Sequence, residues 1–175
     1  MKKTHKIAFS SIITALIVVL MLSAYFPYFT YAIPAAAGVL LAVVTIEIDR
    51  KWALGTYIAS AVLVLLFCEK EAAMLYVGFF GYYIILKGII EQKYNRIFEI
   101  ILKHLIFNIA IVLSYLIIIF VFGIPFDESG KTGIVFIIGF LIAGNIVFAI
   151  YDYGVTKVIT AYIYALHPKI NRMFK

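Results

Sequence analysis

The chain has 175 residues, enough for one domain, and 65% of them are apolar while 14% are charged. Soluble domains run at about 45–50% apolar and about 25% charged, so there is too little polar material here to coat a water-soluble fold. The net charge of +6 would fit a nucleic-acid partner only if the bases clustered; they lie between apolar runs, where they meet anionic lipid headgroups, and no nucleic acid is expected.

Met1, Lys2, Lys3, Thr4, His5 and Lys6 precede the first apolar segment, Ile7 to Phe26. The basic start is like that of a secretory signal. The apolar run is longer than the roughly 7–15 residues of a signal core, however, and no small-x-small cleavage site precedes Tyr25 and Phe26, which predicts a retained helix. An aromatic loop, Pro27 to Tyr31, leads to a second segment over 32–48, with Pro34 early in the helix, where a missing N–H costs nothing. The third, 52–67, opens on Trp52 as an interfacial anchor and is the shortest; the fourth covers 72–90. The fifth, 102–122, contains fifteen Leu, Ile, Val or Phe residues, worth about −4.5 to −9 kcal/mol of insertion free energy before polar deductions. The sixth covers 134–151. Each is near the about 20 residues that cross a bilayer core. Beyond it Val155, Val158, Ile159, Tyr162 and Ile163 continue the pattern around Lys157. This predicts a helical extension along the inner surface to about residue 166, stopped by His167 and Pro168.

The expected fold is therefore all-α: one integral membrane domain over residues 1–175, a bundle of six transmembrane helices in the cell (plasma) membrane with both termini cytoplasmic. Orientation rests on the basic residues. With the amino terminus inside, thirteen of fifteen fall on the inner face, and only Lys70 and Lys131 fall outside. A count of five or seven helices would break that alternation.

Catalytic chemistry is not expected. The chain has no His-Glu-x-x-His pair, no Gly-x-Ser-x-Gly elbow and no Gly-rich phosphate loop. No cofactor or metal is expected, and Cys68, the single cysteine, excludes an internal disulfide and a thiolate zinc cluster. Asp152, about 27 Å along its helix from Ile134, reads as an interfacial charge. Glu99 and Lys103 read as a solvated pair, Lys87 as a snorkelling lysine, and Glu47 and Asp49 as partners that soften the turn at Arg50 and Lys51.

Asn145 falls near the bilayer midplane among Gly139, Ala143 and Gly144, and its amide needs either a neighbouring helix or a ligand. Ala8, Ser11 and Ala15 form a small-residue stripe on the first helix, and Gly55 and Ala59 a second pair. Such stripes let backbones approach, inside the protein, the safer expectation, or against another subunit. In the outer loops Tyr25, Tyr28, Thr30 and Tyr31, Glu69, Lys70 and Glu71, and Asp127, Glu128, Ser129, Lys131 and Thr132 would roof a small-molecule pocket or supply an aromatic belt.

The start Lys6-Ile7-Ala8-Phe9-Ser10-Ser11-Ile12-Ile13-Thr14-Ala15-Leu16, the proline-containing aromatic loop and Pro34 resemble the substrate-binding S component of energy-coupling-factor (ECF) vitamin transporters. The chain also resembles membrane proteins of Lys- and Ile-rich, Firmicutes-like composition that have no assigned role. The first resemblance implies that Ala8, Ser11 and Ala15 dock on a transmembrane coupling subunit driven by ATPases, with Ser11 and Ala15 in place of two alanines four apart. It also implies that the outer loops cap a vitamin-like nutrient, with Tyr28, Tyr31 and Asn145 as its contacts. A non-catalytic scaffold or assembly subunit is the alternative class.

Overall fold

The computed structural model describes residues 2–122, 130–168 and 170. Among them the regular secondary structure is entirely helical. Helix α1 (Lys3–Leu22) ends in two short 3-10 turns, Ser23–Tyr25 and Pro27–Phe29, and is followed by α2 (Ala32–Glu47) and α3 (Arg50–Phe67). Helix α4 (Lys70–Leu75) runs through a π-helical turn, Tyr76–Phe80, into α5 (Gly81–Lys93); α6 (Arg96–Phe122) and α7 (Gly130–Ala165) complete the chain. Five helical stretches are long and apolar enough to cross a membrane, over 3–25, 50–67, 70–93, 96–114 and 141–165; α2 is shorter, at 16 residues.

Among the described apolar helices expected to span, the shortest is thus the second, where the sequence pointed to the third. The cause is Asp49, whose carboxylate accepts from the Trp52 N–H at 2.9 Å. This N-cap starts α3 at Arg50 and absorbs the charged residues assigned to a loop. Glu69 caps α4 in the same way, accepting from the N–H groups of Glu71 and Ala72. The expected extension beyond Tyr151 exists but is not a separate element. Helix α7 is one run of 36 residues, about 54 Å long against a hydrocarbon core of about 30 Å.

Two apolar clusters fill the interior. In the first, Ile13, Ile17 and Met21 of α1 meet Ala37, Leu41 and Val44 of α2, Ala53 and Val64 of α3, and Tyr76. The second joins Ala42 to Phe79, Tyr83 and Ile84, and to Phe107 and Ala110 of α6 and Phe148 and Val155 of α7. Helix α2 and the π turn belong to both, and they approach at Gly38: a Cβ there would stand 2.3 Å from the carbonyl oxygen of Phe80. The π turn also frees backbone carbonyls, which cost free energy in hydrocarbon unless a donor reaches them. The Tyr57 hydroxyl donates to the Val77 carbonyl at 2.7 Å.

The far end of α7 is clasped to α2. Glu47, its side chain 4% exposed, accepts from the Tyr162 hydroxyl at 2.7 Å and stands 2.9 Å from His167 Nδ1. The reading of Glu47 and Asp49 as balancing Arg50 and Lys51 is therefore corrected. Asp49 is a cap and also lies 3.8 Å from Lys6, while Glu47 reaches across the bundle.

Gly38→Val should overpack the contact of α2 with the π turn and cost about 1–3 kcal/mol. Gly55→Val, on an exposed face with nothing near its Cβ position, should leave stability almost unchanged. Thermal unfolding of the two variants in one detergent checks the difference.

Candidate functional site

The polar centre of the molecule is built by three helices. Helix α5 presents Tyr83, Lys87 and Glu91 at intervals of four, which places them on one face. Helix α6 presents Glu99 and Lys103, and α7 presents Asp152. The Lys87 ammonium lies 2.5 Å from Asp152 Oδ1 and 2.6 Å from Glu91 Oε1. The Lys103 ammonium lies 2.7 Å from Glu91 Oε1, 2.6 Å from Glu99 Oε1 and 3.2 Å from Asp152 Oδ2. Glu91 and Asp152 each bridge both lysines, so the charges close into a ring of alternating sign. Tyr83 donates its hydroxyl to Asp152 Oδ1 at 2.5 Å.

Lys87 and Lys103 are 1% and 2% exposed, whereas the carboxylates remain partly accessible. Desolvating an ion costs several kcal/mol, which only close partners offset. Each ammonium here has at least two. Three carboxylates against two ammonium groups leave one formal negative charge.

Three readings are corrected by this ring. Asp152, read only as an interfacial charge, links two lysines together with Glu91. Lys87 does not snorkel outward; its ammonium is turned into the bundle. Glu99 and Lys103 do pair, yet Lys103 is buried, so the pair is no solvated surface feature. A signal for the ring was present in the sequence. Lys87 and Glu91 mirror Lys103 and Glu99 about Asn95, which lies in the turn between α5 and α6, and an antiparallel hairpin sets such positions level. Periodicity along single helices does not register that symmetry.

The carboxylate oxygens of Glu91, Glu99 and Asp152 lie within 4.8 Å of one another, close enough to share a metal ion. The Lys103 ammonium contacts all three and fills the position such an ion would take.

Next to the ring lies an aromatic layer. Phe107 stacks on Phe148 with centroids 4.5 Å apart, Phe79 stacks on Tyr83 at 4.8 Å, and Phe79 meets Phe107 and Phe148 edge-on. One further turn along α7, Asn145 and Asn108 exchange reciprocal amide hydrogen bonds of 2.9 and 3.0 Å. Each amide also donates to a carbonyl of its own helix, Leu141 or His104. Asn145 therefore has its partner in α6. It also lines an open groove of about 510 Å³ with His104, Leu141, Ile142, Ile146 and Ala149.

Tyr28 and Tyr31 do not line that groove. Tyr31 donates its hydroxyl to Glu71 Oε1 at 2.8 Å, and this bond, helped by burial, raises its pKa. Tyr28 is 94% exposed. Asp127, Glu128 and Ser129 lie outside the described residues. Ala8, Ser11 and Ala15 are all exposed, as are Gly55 and Ala59. Helix α1 buries the opposite set, Ser10, Ile13, Ile17 and Met21. The small-residue stripes thus face outward, against the expectation of internal packing.

No protein-family model, curated protein or solved structure matches the chain. Fold and site define its class: among the described residues, an all-helical protein with five helical stretches long and apolar enough to cross a membrane, and an internal ring of charge.

Asp152→Asn should remove one of the two carboxylates shared by Lys87 and Lys103, leaving Glu91 as the other, and should cost less than the about 3–5 kcal/mol of a buried charge left without any partner. Lys87→Met combined with Asp152→Asn should be less destabilising than the sum of the single changes, by about 0.5–3 kcal/mol. Unfolding titrations of the four proteins in micelles measure the coupling; additive values would show that the contacts are not mutually supporting.

Proposed function

We propose that the chain is a six-span plasma-membrane subunit, with both ends in the cytoplasm, that binds a vitamin-like nutrient for an uptake transporter. It would dock through α1 on a transmembrane coupling subunit driven by ATPases and carry out no chemistry of its own. The observation that supports this is the outward-facing stripe of Ala8, Ser11 and Ala15, opposite the core-facing Ile13, Ile17 and Met21. Small residues exposed at membrane depth let a second helix come close enough for backbone packing, the main source of helix association in lipid. Helix α2 counts as the sixth span, because a modest mismatch is tolerated. The excess of Lys and Arg on one side sets the orientation. Tyr31 and Asn145 would reach the nutrient by exchanging their present partners, Glu71 and Asn108.

That exchange also favours a second reading. With both side chains satisfied internally, the interior is suited to a scaffold whose exposed stripes recruit another membrane protein without any ligand.

Ser11→Leu should abolish docking and uptake while leaving protein abundance unchanged, measured by copurification and by nutrient accumulation in cells. Normal uptake would remove α1 as the docking face. Native mass spectrometry of gently solubilised protein then separates the readings: a retained vitamin-sized mass supports the binding subunit, and a stable protein partner with repeated absence of ligand supports the scaffold.

A further inference from the structure

The shortness of α2 has its consequence at the opposite end of that helix. Sixteen residues rise about 24 Å, some 6 Å less than the hydrocarbon core of about 30 Å. The end at Glu47 is fixed. Glu47 is clasped by Tyr162 and His167, Asp49 caps α3, and Arg50 donates to the Gly88 carbonyl at 3.2 Å and to the Gln92 side chain. In a bilayer this charged turn, with Lys51 next in sequence, would be placed at the headgroups by the cost of carrying Asp49, Arg50 and Lys51 into hydrocarbon. The deficit would then fall at the other end, with Ala32 starting α2 below the hydrocarbon boundary.

Only nine residues, Ser23 to Tyr31, connect α1 to that sunken end, and none is charged. Their backbone is coiled into the two 3-10 turns, with Phe26 N–H donating to Ser23 O and Phe29 N–H to Phe26 O. Two straps hold the loop against its neighbours: the Tyr25 hydroxyl donates to the Phe67 carbonyl at 3.1 Å, and Tyr31 donates to Glu71. What the loop leaves exposed is aromatic, namely Phe26, Tyr28 and Phe29 together with the rings of Tyr25 and Tyr31. A contiguous exposed aromatic patch calls for a partner. Amphipathic tyrosine rings are enriched in the headgroup layer, where the ring meets hydrocarbon and the hydroxyl meets water.

We propose that the α1–α2 loop lies in the headgroup layer of the bilayer rather than standing in water above it, with Phe26, Tyr28 and Phe29 contacting phospholipid. The inference rests on the length of α2 and the composition of the loop, and it does not depend on a transported nutrient. It gives Tyr28 a lipid contact. Because the loop carries no charge, the contact is with the lipid interface in general and is insensitive to headgroup charge and to salt.

The chain offers a clean probe, since Trp52 is the only tryptophan and starts α3 at the far end of α2. In full-length protein carrying Trp52→Phe, Tyr28→Trp places one fluorophore on the loop, and Phe29→Trp serves as a second if the first does not fold. Both are reconstituted in phosphatidylcholine vesicles. The expected result is a blue-shifted emission, strongly quenched by lipids brominated near the carbonyls, less by lipids brominated near the chain ends, and little by aqueous iodide. Water-like emission quenched by iodide and untouched by brominated lipid would overturn the proposal. Emission insensitive to both quenchers would overturn it too, by placing the ring inside protein.

Discussion

Two pairs of like charges face each other across the α5–α6 hairpin, and the rest of the second half of the molecule depends on how they are reconciled. Lys87 stands level with Lys103, and Glu91 with Glu99, because each pair is equidistant from Asn95. Left alone, the two ammonium groups would repel inside a medium that screens poorly. Asp152 enters from α7 and contacts both, while Glu91 does the same from the other side. Glu91 bridges the two lysines within the hairpin, and Asp152 adds a second bridge that ties α7 to it. A polar constraint of this kind is costly in hydrocarbon, but it is directional, and it fixes the rotation of α7 in a way that greasy contacts do not.

The register set by Asp152 is repeated along α7. Phe148 and Asn145 follow at intervals of four and three, on the same face, and meet Phe107 and Asn108 of α6 in order. Charge, aromatic ring and amide thus form three layers that agree on one alignment of the two helices. The first half of the bundle is assembled differently. There Ala37, Gly38, Ala53 and Ala72 let backbones come close, and the interior polar contacts are hydroxyls, such as Tyr76 with Ser60. One half relies on close approach and the other on directional pairing, with α2 and the π turn shared between them.

The helical class, and the presence of several helices long and apolar enough to cross a membrane, were legible in composition and in the breaks between runs. Ends were less so, because Asp49 and Glu69 are charged residues that read as loop yet begin helices by capping them. The candidate site was legible only in pieces. Glu99 and Lys103 announce a pair at i, i+4, but nothing along one helix reveals that Lys103 is buried or that Asp152, 49 residues away, completes its coordination. Likewise Ala8, Ser11 and Ala15 mark a face of α1, and only the packing of Ile13 and Ile17 tells which way it points. A one-dimensional pattern assigns residues to faces; which face is inside is a property of the neighbours.

Placing charge inside and small residues outside reverses the usual assignment for a membrane helix, and this bears on what the surface is for. An apolar surface of Leu and Ile is already satisfied by lipid, so small residues on it gain nothing unless a backbone replaces the acyl chains. Helix α1 has such residues at its exposed positions 8, 11 and 15, beside the larger Ile12, Leu16 and Val19 on the same outer surface, while Ile13, Ile17 and Met21 turn inward. The groove beside Asn145 is exposed on the other half, next to residues already paired with each other. The two features differ in kind: the stripe would suit a rigid surface of matching shape, whereas the groove is lined by an amide that already has its partner. The charge ring meanwhile holds α5, α6 and α7 in one register.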